Sequence, residues 1–121
     1  MKILILDFNE DFYPIYERKL REVGDIQIFF SKDIDNALRC LKDNKPDCIL
    51  LNHLFYDKLN YYSQLRTFGF TGDIIIVIAG KENIIKRSSY NGISGILDKS
   101  LNGKDFRKNF CTLLNLNSLD I

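Results

Sequence analysis

Five apolar runs alternate along the chain with segments whose apolar residues have helical spacing. The runs are rich in Ile, Leu and Val and nearly continuous, which is typical of strands buried on both faces of a parallel sheet. Parallel strands need crossover connections, so this alternation constrains the fold more than any other feature of the sequence. The runs are Ile3–Leu6, Ile26–Phe30, Cys48–Leu51, Ile74–Ala79 and Gly95–Leu97.

The segments between the runs predict five helices, because each places apolar residues on one face. The fourth is the weakest, and Gly24 and Gly69 are expected to end the first and the third. Ser31 or Asp33 is expected to cap the second. We predict an α/β fold, a flavodoxin-like doubly wound sheet of five parallel strands in the order 2-1-3-4-5 with helices on both faces. The predicted helices cover Phe12–Val23, Ile34–Leu41, Tyr61–Phe68, Ile84–Tyr90 and Phe106–Leu114.

Length and charge narrow the classes of protein that this fold can serve. The 121 residues form a single domain, 1–121, in which residues 115–121 are expected to be a tail or the start of a linker. Lys and Arg number 17 and Asp and Glu number 16, for a net charge of +1. That balance argues against direct nucleic-acid binding and against a polybasic membrane patch, both of which need a basic excess.

The cysteines and the first residues indicate a cytoplasmic protein. Cys40, Cys48 and Cys111 are odd in number and form no closely spaced pair, so we expect three small buried side chains in a reducing compartment. The apolar stretch before Asp7 is too short for a signal peptide or a membrane span.

Four segments in order carry a resemblance to a known family. They are ILILDFNEDF, KPDCILLN, DIIIVIAGKEN and NGISGILDKS, and with their spacing the chain from Lys2 to Leu114 resembles the receiver domain of bacterial response regulators. In that family two acids after the first strand help to hold Mg²⁺, and an Asp at the end of the third strand accepts a phosphoryl group. A Ser or Thr ends the fourth strand and a Lys ends the fifth.

This chain departs from the family pattern at most of those positions. Asp7 matches the first acid and Lys99 matches the lysine, but Phe8 stands where the second acid is expected. Asn52 stands at the position of the phosphoaccepting Asp, and Ala79 replaces the Ser or Thr. The resemblance therefore implies a degenerate phosphoacceptor pocket.

The residues that remain in this pocket predict altered chemistry. A side-chain amide is a poor nucleophile compared with a carboxylate, so we expect no phosphorylation of Asn52. With one carboxylate left, Mg²⁺ binding is expected to be weak or absent, and we assign no metal site, cofactor or catalytic residue. We expect Asp7 to pair with Lys99, with Asn52 as a hydrogen-bonding neighbour and with Phe8 packed into the space of the metal.

Several residues near the pocket have a plainer interpretation. Asp7 could cap the turn after its strand, and Lys99 could be a solvated lysine at a strand end. Glu10 and Asp11 are typical of a first helical turn, where they complement the helix dipole. His53, the only histidine, lies beside Asn52, but the sequence offers no Ser, Cys or second His in a recognisable catalytic frame with it. The tyrosines at positions 56, 61 and 62 are expected to form a helix packing face.

The leading hypothesis is a phosphorylation-independent signal-transduction module that is not an enzyme and that acts by binding a partner protein or by dimerising. An alternative is the N-terminal regulatory domain of a transcription factor whose DNA-binding domain lies outside this sequence. A flavodoxin-like enzyme or cofactor binder is disfavoured, because the loop after the first strand lacks glycine and carries extra acids. The resemblance puts Ile96 at the aromatic switch position and implies an interaction face that includes Lys86, Arg87, Tyr90, Asp98, Asp105 and Lys108.

Overall fold

The five predicted strands form one parallel sheet in a computed structural model of the chain, which describes residues 1–80 and 91–115. The strand order is 2-1-3-4-5, which confirms the predicted fold. Each strand lies within a residue or two of the predicted run, because the apolar runs are the segments that both faces of the sheet bury. The strands are β1 (Lys2–Leu6), β2 (Gln27–Ser31), β3 (Cys48–Asn52), β4 (Asp73–Ile78) and β5 (Gly95–Asp98).

Five α-helices are found in the described residues. Four of them correspond to predicted stripes, and the short helix after β3 was not predicted. The helix expected at residues 84–90 and the end of the expected tail, residues 116–121, lie outside the described residues. The helices are α1 (Tyr13–Leu20), α2 (Ile34–Asn44), α3 (His53–Asp57), α4 (Tyr61–Phe68) and α5 (Gly103–Leu113).

Local chemistry sets where several helices begin and end. Asp33 is the N-cap of α2, and its carboxylate accepts a hydrogen bond of 2.8 Å from the backbone N–H of Asn36. The observed helix α1 is shorter than the predicted first helix, because 3-10 turns at Glu10–Phe12 and Arg21–Val23 flank it. Gly24 follows with a φ of 133°, a backbone conformation that favours glycine, and the chain then turns into β2.

Alternate residues of the strands feed two separate cores. One core packs Leu4, Leu51 and Ile76 of the sheet against α2, α3 and α4. The other packs Ile5 and Leu50 of the sheet against α1 and α5. Both faces of the sheet are therefore covered, which explains why the strands read as continuous apolar runs.

The parallel arrangement brings the ends of four strands to one edge of the sheet. Asp7 directly follows β1, Asn52 ends β3, Ala79 follows β4 and Lys99 follows β5. In doubly wound sheets functional sites lie at this edge, so the fold places the predicted pocket residues together. No helix within residues 1–80 or 91–115 is long and apolar enough to cross a membrane.

Candidate functional site

The carboxylate of Asp7 lies at the centre of the pocket and is completely buried. Its Oδ2 lies 3.4 Å from Lys99 Nζ and accepts a hydrogen bond of 2.9 Å from the Tyr16 hydroxyl. Its Oδ1 accepts a hydrogen bond of 3.3 Å from Asn52 Nδ2. The pairing of Asp7 with Lys99 and the neighbouring position of Asn52 are as the sequence predicted. A buried carboxylate needs such partners, since an unpaired buried charge is strongly destabilising.

Tyr16 completes the pocket from α1, and sequence reasoning assigned it only to the apolar stripe of that helix. The side chain is 1% exposed. Burial raises the pKa of the Tyr16 hydroxyl far above its ordinary value, and the charge of Asp7 and the hydrogen bond to it raise it further. The hydroxyl therefore keeps its proton at neutral pH and donates it to Asp7. The sequence held one signal of this role for Tyr16. Its hydroxyl is a polar group within an otherwise apolar stripe, nine residues after Asp7.

The ammonium group of Lys99 is held between a charge and an aromatic ring. Besides its contact with Asp7, Lys99 Nζ lies 3.7 Å from the ring centroid of Phe12, a cation–π contact. The side chain is 13% exposed. Lys19 of α1 adds a second cation close by, and its Nζ donates to the backbone carbonyls of Lys99 and Leu101. The solvated-lysine interpretation of Lys99 is therefore wrong.

Asn52 uses both ends of its side-chain amide. Its Nδ2 donates to Asp7, and its Oδ1 accepts a hydrogen bond of 2.9 Å from the backbone N–H of Leu54. The second contact makes Asn52 the N-cap of α3. The residue at the expected phosphoacceptor position thus joins the pocket to the helix that follows it.

The expectation that Phe8 fills the space of a metal is wrong. Half of its surface is exposed, and its ring packs edge-on against Phe55 of α3 with centroids 6.0 Å apart. The interior next to Asp7 is already occupied by Tyr16 and by Lys99 with its covering ring of Phe12. Phe8 therefore lies on the rim of the pocket.

The residues of the pocket do not fit Mg²⁺, the ion that the fold family implies. Mg²⁺ prefers octahedral oxygen ligands and usually binds through one or two carboxylates with several waters. Here Asp7 supplies the single carboxylate, and both its oxygens accept from neutral or cationic donors. The side-chain oxygen of Asn52 is bonded to the backbone of α3. In residues 1–80 and 91–115 no group of three or more His, Cys, Asp or Glu side chains is arranged to hold a metal ion.

The predicted interaction face is only partly described. Lys86, Arg87 and Tyr90 lie outside the described residues. Asp105 and Lys108 are exposed on α5. Asp105 also accepts a hydrogen bond of 3.1 Å from the side chain of Asn102, the N-cap of α5.

Asp98 differs from the expectation of a surface residue. It is half-buried, and its Oδ1 accepts hydrogen bonds from Gly80 N at 2.9 Å, Ser100 N at 2.9 Å and Ser100 Oγ at 2.7 Å. Burial alone would raise the pKa of this carboxyl, but the hydrogen bonds outweigh burial and lower it. Asp98 therefore joins the residues after β4 to those after β5.

The other two predicted positions are Ala79, which follows β4, and Ile96 in the neighbouring β5. Ala79 is half-buried directly after β4. Ile96 in β5 is half-buried and packs against the core between the sheet and α2, α3 and α4. An aliphatic side chain at this position has no polar end that could exchange hydrogen-bond partners, unlike a tyrosine.

Two tyrosines connect α3 and α4 to the chain before β5. The Tyr56 hydroxyl accepts from the backbone N–H of Asn91 at 3.1 Å and lies 3.3 Å from its carbonyl oxygen. The Tyr62 hydroxyl donates to the carbonyl of Gly92 at 2.9 Å. The rings of Tyr56 and Tyr62 lie 5.1 Å apart, and Tyr61 packs on Phe55 at 4.7 Å. The predicted packing face of tyrosines is confirmed.

The remaining candidate residues are His53 and the three cysteines. His53 is buried, and its Nδ1 lies 3.7 Å from the carboxylate of Asp57 one turn later in α3. All three cysteines are buried and free, as predicted. Burial raises the pKa of Cys48 to about 12 and also raises that of Cys40 and Cys111, which disfavours the reactive thiolate form.

Comparison with known proteins shows the fold of response regulator receiver domains. A receiver protein from Burkholderia phymatum superposes with a TM-score of 0.75 at 22% identity, over 96% of each chain. The receiver domain of a sensor histidine kinase from Pseudomonas aeruginosa matches with a TM-score of 0.72 at 18% identity, over 94% of this chain and 97% of that one. That structure has a magnesium ion in its active site cleft.

The same fold also occurs inside a longer protein. NtrX from Brucella abortus matches 94% of this chain with 26% of its own length, at a TM-score of 0.78 and 18% identity. No protein-family model and no curated protein sequence matches the chain. The fold is thus that of response regulator receiver domains.

Proposed function

We propose that this chain is a signalling module of receiver fold that acts by protein contact and without phosphorylation. The observation that carries the proposal is the closed set of partners around Asp7. Tyr16, Asn52 and Lys99 come from three different elements and together engage both carboxylate oxygens. In the family resemblance, those oxygens and the residue at position 52 would instead face a metal and a phosphoryl group.

The chemistry of Asn52 supports the absence of phosphoryl transfer. Formation of an aspartyl phosphate requires a carboxylate oxygen with a free lone pair directed at the incoming phosphorus. The amide oxygen of Asn52 is a weaker nucleophile and already accepts from Leu54 N. The amide nitrogen donates to Asp7, and its lone pair is delocalised into the carbonyl, so it is not a nucleophile either.

The same contacts suggest how the module keeps one conformation. Asn52 joins the Asp7 pair to α3, and Tyr56 of α3 is bonded to the backbone of Asn91. The pocket is thus linked through one short helix to the residues that lead into β5. A receiver that switches must rearrange such contacts between two states. Here a buried ion pair and neutral hydrogen bonds hold a single state. They take the place of the transient charge that phosphorylation adds in a receiver that switches.

The proposal is tested by incubating the purified chain with Mg²⁺ and a small acyl phosphate and then measuring its intact mass. A receiver domain with the complete set of acids, treated in parallel, serves as the positive control. We expect the mass of this chain to stay unchanged while the control gains one phosphoryl group. A stoichiometric adduct on this chain would show that the proposal is wrong.

A second candidate is the regulatory part of a longer regulator. The observation in its favour is that NtrX carries the matching fold as 26% of a longer chain. The two candidates share the pocket and differ in what the module contacts. Sequencing the transcript that encodes this chain beyond Ile121 decides between them, since an effector domain in frame supports the second and a stop codon contradicts it.

A further inference from the structure

Three groups that can react with one another meet in the Asp7 pocket. Lys99 carries a primary amine, Asn52 carries a carboxamide, and the carboxylate of Asp7 contacts both. Its Oδ2 lies 3.4 Å from Lys99 Nζ, and its Oδ1 accepts from Asn52 Nδ2 at 3.3 Å. Asp7 is fully buried, and Asn52 is only 3% exposed. An amine and a carboxamide that share one proton carrier have the arrangement that an acyl transfer between them requires.

The carboxamide of Asn52 is held so that it can be attacked, although it is itself a poor nucleophile. Its Oδ1 accepts a hydrogen bond of 2.9 Å from the backbone N–H of Leu54. When a nucleophile adds to the Cγ carbon, negative charge develops on this oxygen, and a fixed backbone donor stabilises that charge. The Nδ2 atom, which would leave, faces Asp7, the group that can supply it with protons.

The amine of Lys99 can reach this carboxamide. Burial disfavours the charged forms of both Lys99 and Asp7, which makes transfer of a proton from Nζ to Oδ2 accessible. The amine lies 3.7 Å from the ring centroid of Phe12 and is carried by a flexible four-carbon stem, so rotation of that stem moves it towards Asn52. Because the fold holds both reactants in one pocket, the reaction is intramolecular and gains a high effective concentration.

We propose that Lys99 and Asn52 form an isopeptide bond in the folded chain, with Asp7 as the proton carrier. Asp7 takes a proton from Lys99 Nζ, the neutral amine attacks Asn52 Cγ, and the bond from Cγ to Nδ2 breaks. Protons from Nζ pass through Asp7 to Nδ2, which leaves. In balance, the lysine ammonium and the carboxamide become a secondary amide and one ammonium ion, without an oxidant, reductant or cofactor.

The ion pair between Asp7 and Lys99 is the state before this reaction. The product joins the end of β3 covalently to the residue that follows β5. The inference rests on the proposed function in one respect, namely that the pocket holds a single state. The new bond makes that state permanent, because a cross-link between distant parts of the chain constrains the unfolded state.

The test follows the freshly purified full chain in neutral buffer over several days, by intact mass and by mapping of tryptic peptides. We expect the mass to fall by one molecule of ammonia. We also expect a cross-linked peptide that joins residues 43–58 to residues 88–104, since trypsin does not cleave after a lysine whose amine is acylated. The same chain kept unfolded in urea should form no such peptide, because the fold brings the two groups together.

Peptide mapping is needed because a second reaction gives the same loss of mass. An asparagine followed by glycine can cyclise onto the next backbone nitrogen and release ammonia, and the sequence contains Asn91–Gly92 and Asn102–Gly103. Cyclisation leaves the peptides unlinked. A loss of ammonia without the cross-linked peptide would therefore contradict the inference.

Three variants assign the roles. Lys99→Arg keeps a cation beside Asp7 and should fold, as circular dichroism would verify, but a guanidinium stays protonated and should form no cross-link. Lys32→Arg is the matched control, because Lys32 is exposed and pairs with Glu10 at 3.6 Å, and it should react as the wild type does. Asp7→Asn, once shown to be folded, should react more slowly by about a hundredfold, the typical contribution of a general acid–base group.

Two results would overturn the inference. They are a wild type that yields no cross-linked peptide and a folded Asp7→Asn variant that forms the peptide at the wild-type rate. The proposed function fails in a different way, because a phosphoryl group adds mass whereas the isopeptide bond removes it. A chain with neither change contradicts only the isopeptide bond, and a phosphoryl adduct contradicts only the proposed function.

Discussion

Lys99 Nζ lies 3.4 Å from Asp7 Oδ2, although 92 positions separate the two residues in the sequence. The contact joins the end of the first strand to the end of the last. One partner is fully buried and the other is 13% exposed, so the pair is poorly screened by solvent. The pair is the centre of the pocket, and its energetics can be measured directly.

Replacing one partner should destabilise the chain more than replacing both. Lys99→Met leaves the Asp7 carboxylate with neutral donors alone, at an expected cost of about 3–5 kcal/mol in the free energy of unfolding. The double variant Asp7→Asn with Lys99→Met removes both charges, so its cost should fall short of the sum of the single costs. A double-mutant cycle by urea denaturation measures this coupling. Strictly additive costs would contradict a direct pair.

Tyr16→Phe removes one hydroxyl and keeps the ring. Because the hydroxyl donates to a buried carboxylate, the loss should cost about 1.5–3 kcal/mol. The folded-state pKa of Tyr16 lies above its unfolded value near 10, so its stabilisation is complete below pH 10 and is lost as the pH rises beyond that. Stability measured from pH 8 to pH 11 should therefore fall less steeply in Tyr16→Phe than in the wild type.

Asn52→Asp tests whether the pocket can regain a metal. The new carboxylate would lie beside that of Asp7, whose Oδ1 is 3.3 Å from the present Asn52 Nδ2. We expect a loss of about 1–3 kcal/mol at neutral pH, because two like charges then share a buried site. Mg²⁺ should recover part of that loss in the variant and should leave the wild-type melting temperature unchanged. An equal response of both proteins to Mg²⁺ would contradict the conclusion that the wild-type pocket does not fit this ion.

Gly92→Ala should be destabilising for two separable reasons. Gly92 has a φ of +74°, and an added Cβ would lie 2.0 Å from the Tyr62 hydroxyl oxygen. We expect a cost of about 1–3 kcal/mol. In a Tyr62→Phe background the clash with the hydroxyl disappears while the backbone strain stays. The cost of Gly92→Ala should thus be smaller there, and an unchanged cost would assign the whole effect to the backbone.

Asp98→Asn should reduce the acid sensitivity of the fold. The hydrogen bonds from Gly80 and Ser100 lower the folded-state pKa of Asp98 below its unfolded value. Its stabilisation is therefore present above the ordinary Asp value near 4 and is lost as the pH falls through the lowered folded value. The wild type should be more stable than the variant at pH 7, and the difference should shrink towards pH 2. A constant difference would rule out this titration as the cause.

The elements of the fold were predictable because they follow from local periodicity. Near-continuous apolar runs indicated strands buried on both faces, and four apolar stripes indicated four of the five described helices. The short helix α3 was not predicted, since five residues hold too little periodicity to recognise. Its start depends on a side-chain cap by Asn52, and that residue was interpreted only as a lost phosphoacceptor and a neighbour of the Asp7–Lys99 pair.

The pocket was predictable in part. Asp7, Asn52 and Lys99 were identified because the resemblance to receiver domains puts them at pocket positions, and parallel strands end at one edge. Tyr16 and Phe12 were assigned to the apolar stripe of α1, because spacing along a helix does not show which way a hydroxyl points. Phe8 was predicted to lie inside the pocket. Other side chains fill that space, so Phe8 lies on the rim.

The sequence by itself determined the alternation of five strands with helices and the absence of a carboxylate at positions 8 and 52. These properties depend on residue type and on periodicity, which are local. Only the tertiary structure decided which groups satisfy the buried charge of Asp7. Tyr16 and Lys99 reach it from opposite ends of the chain, and such contacts depend on how helices pack on the sheet.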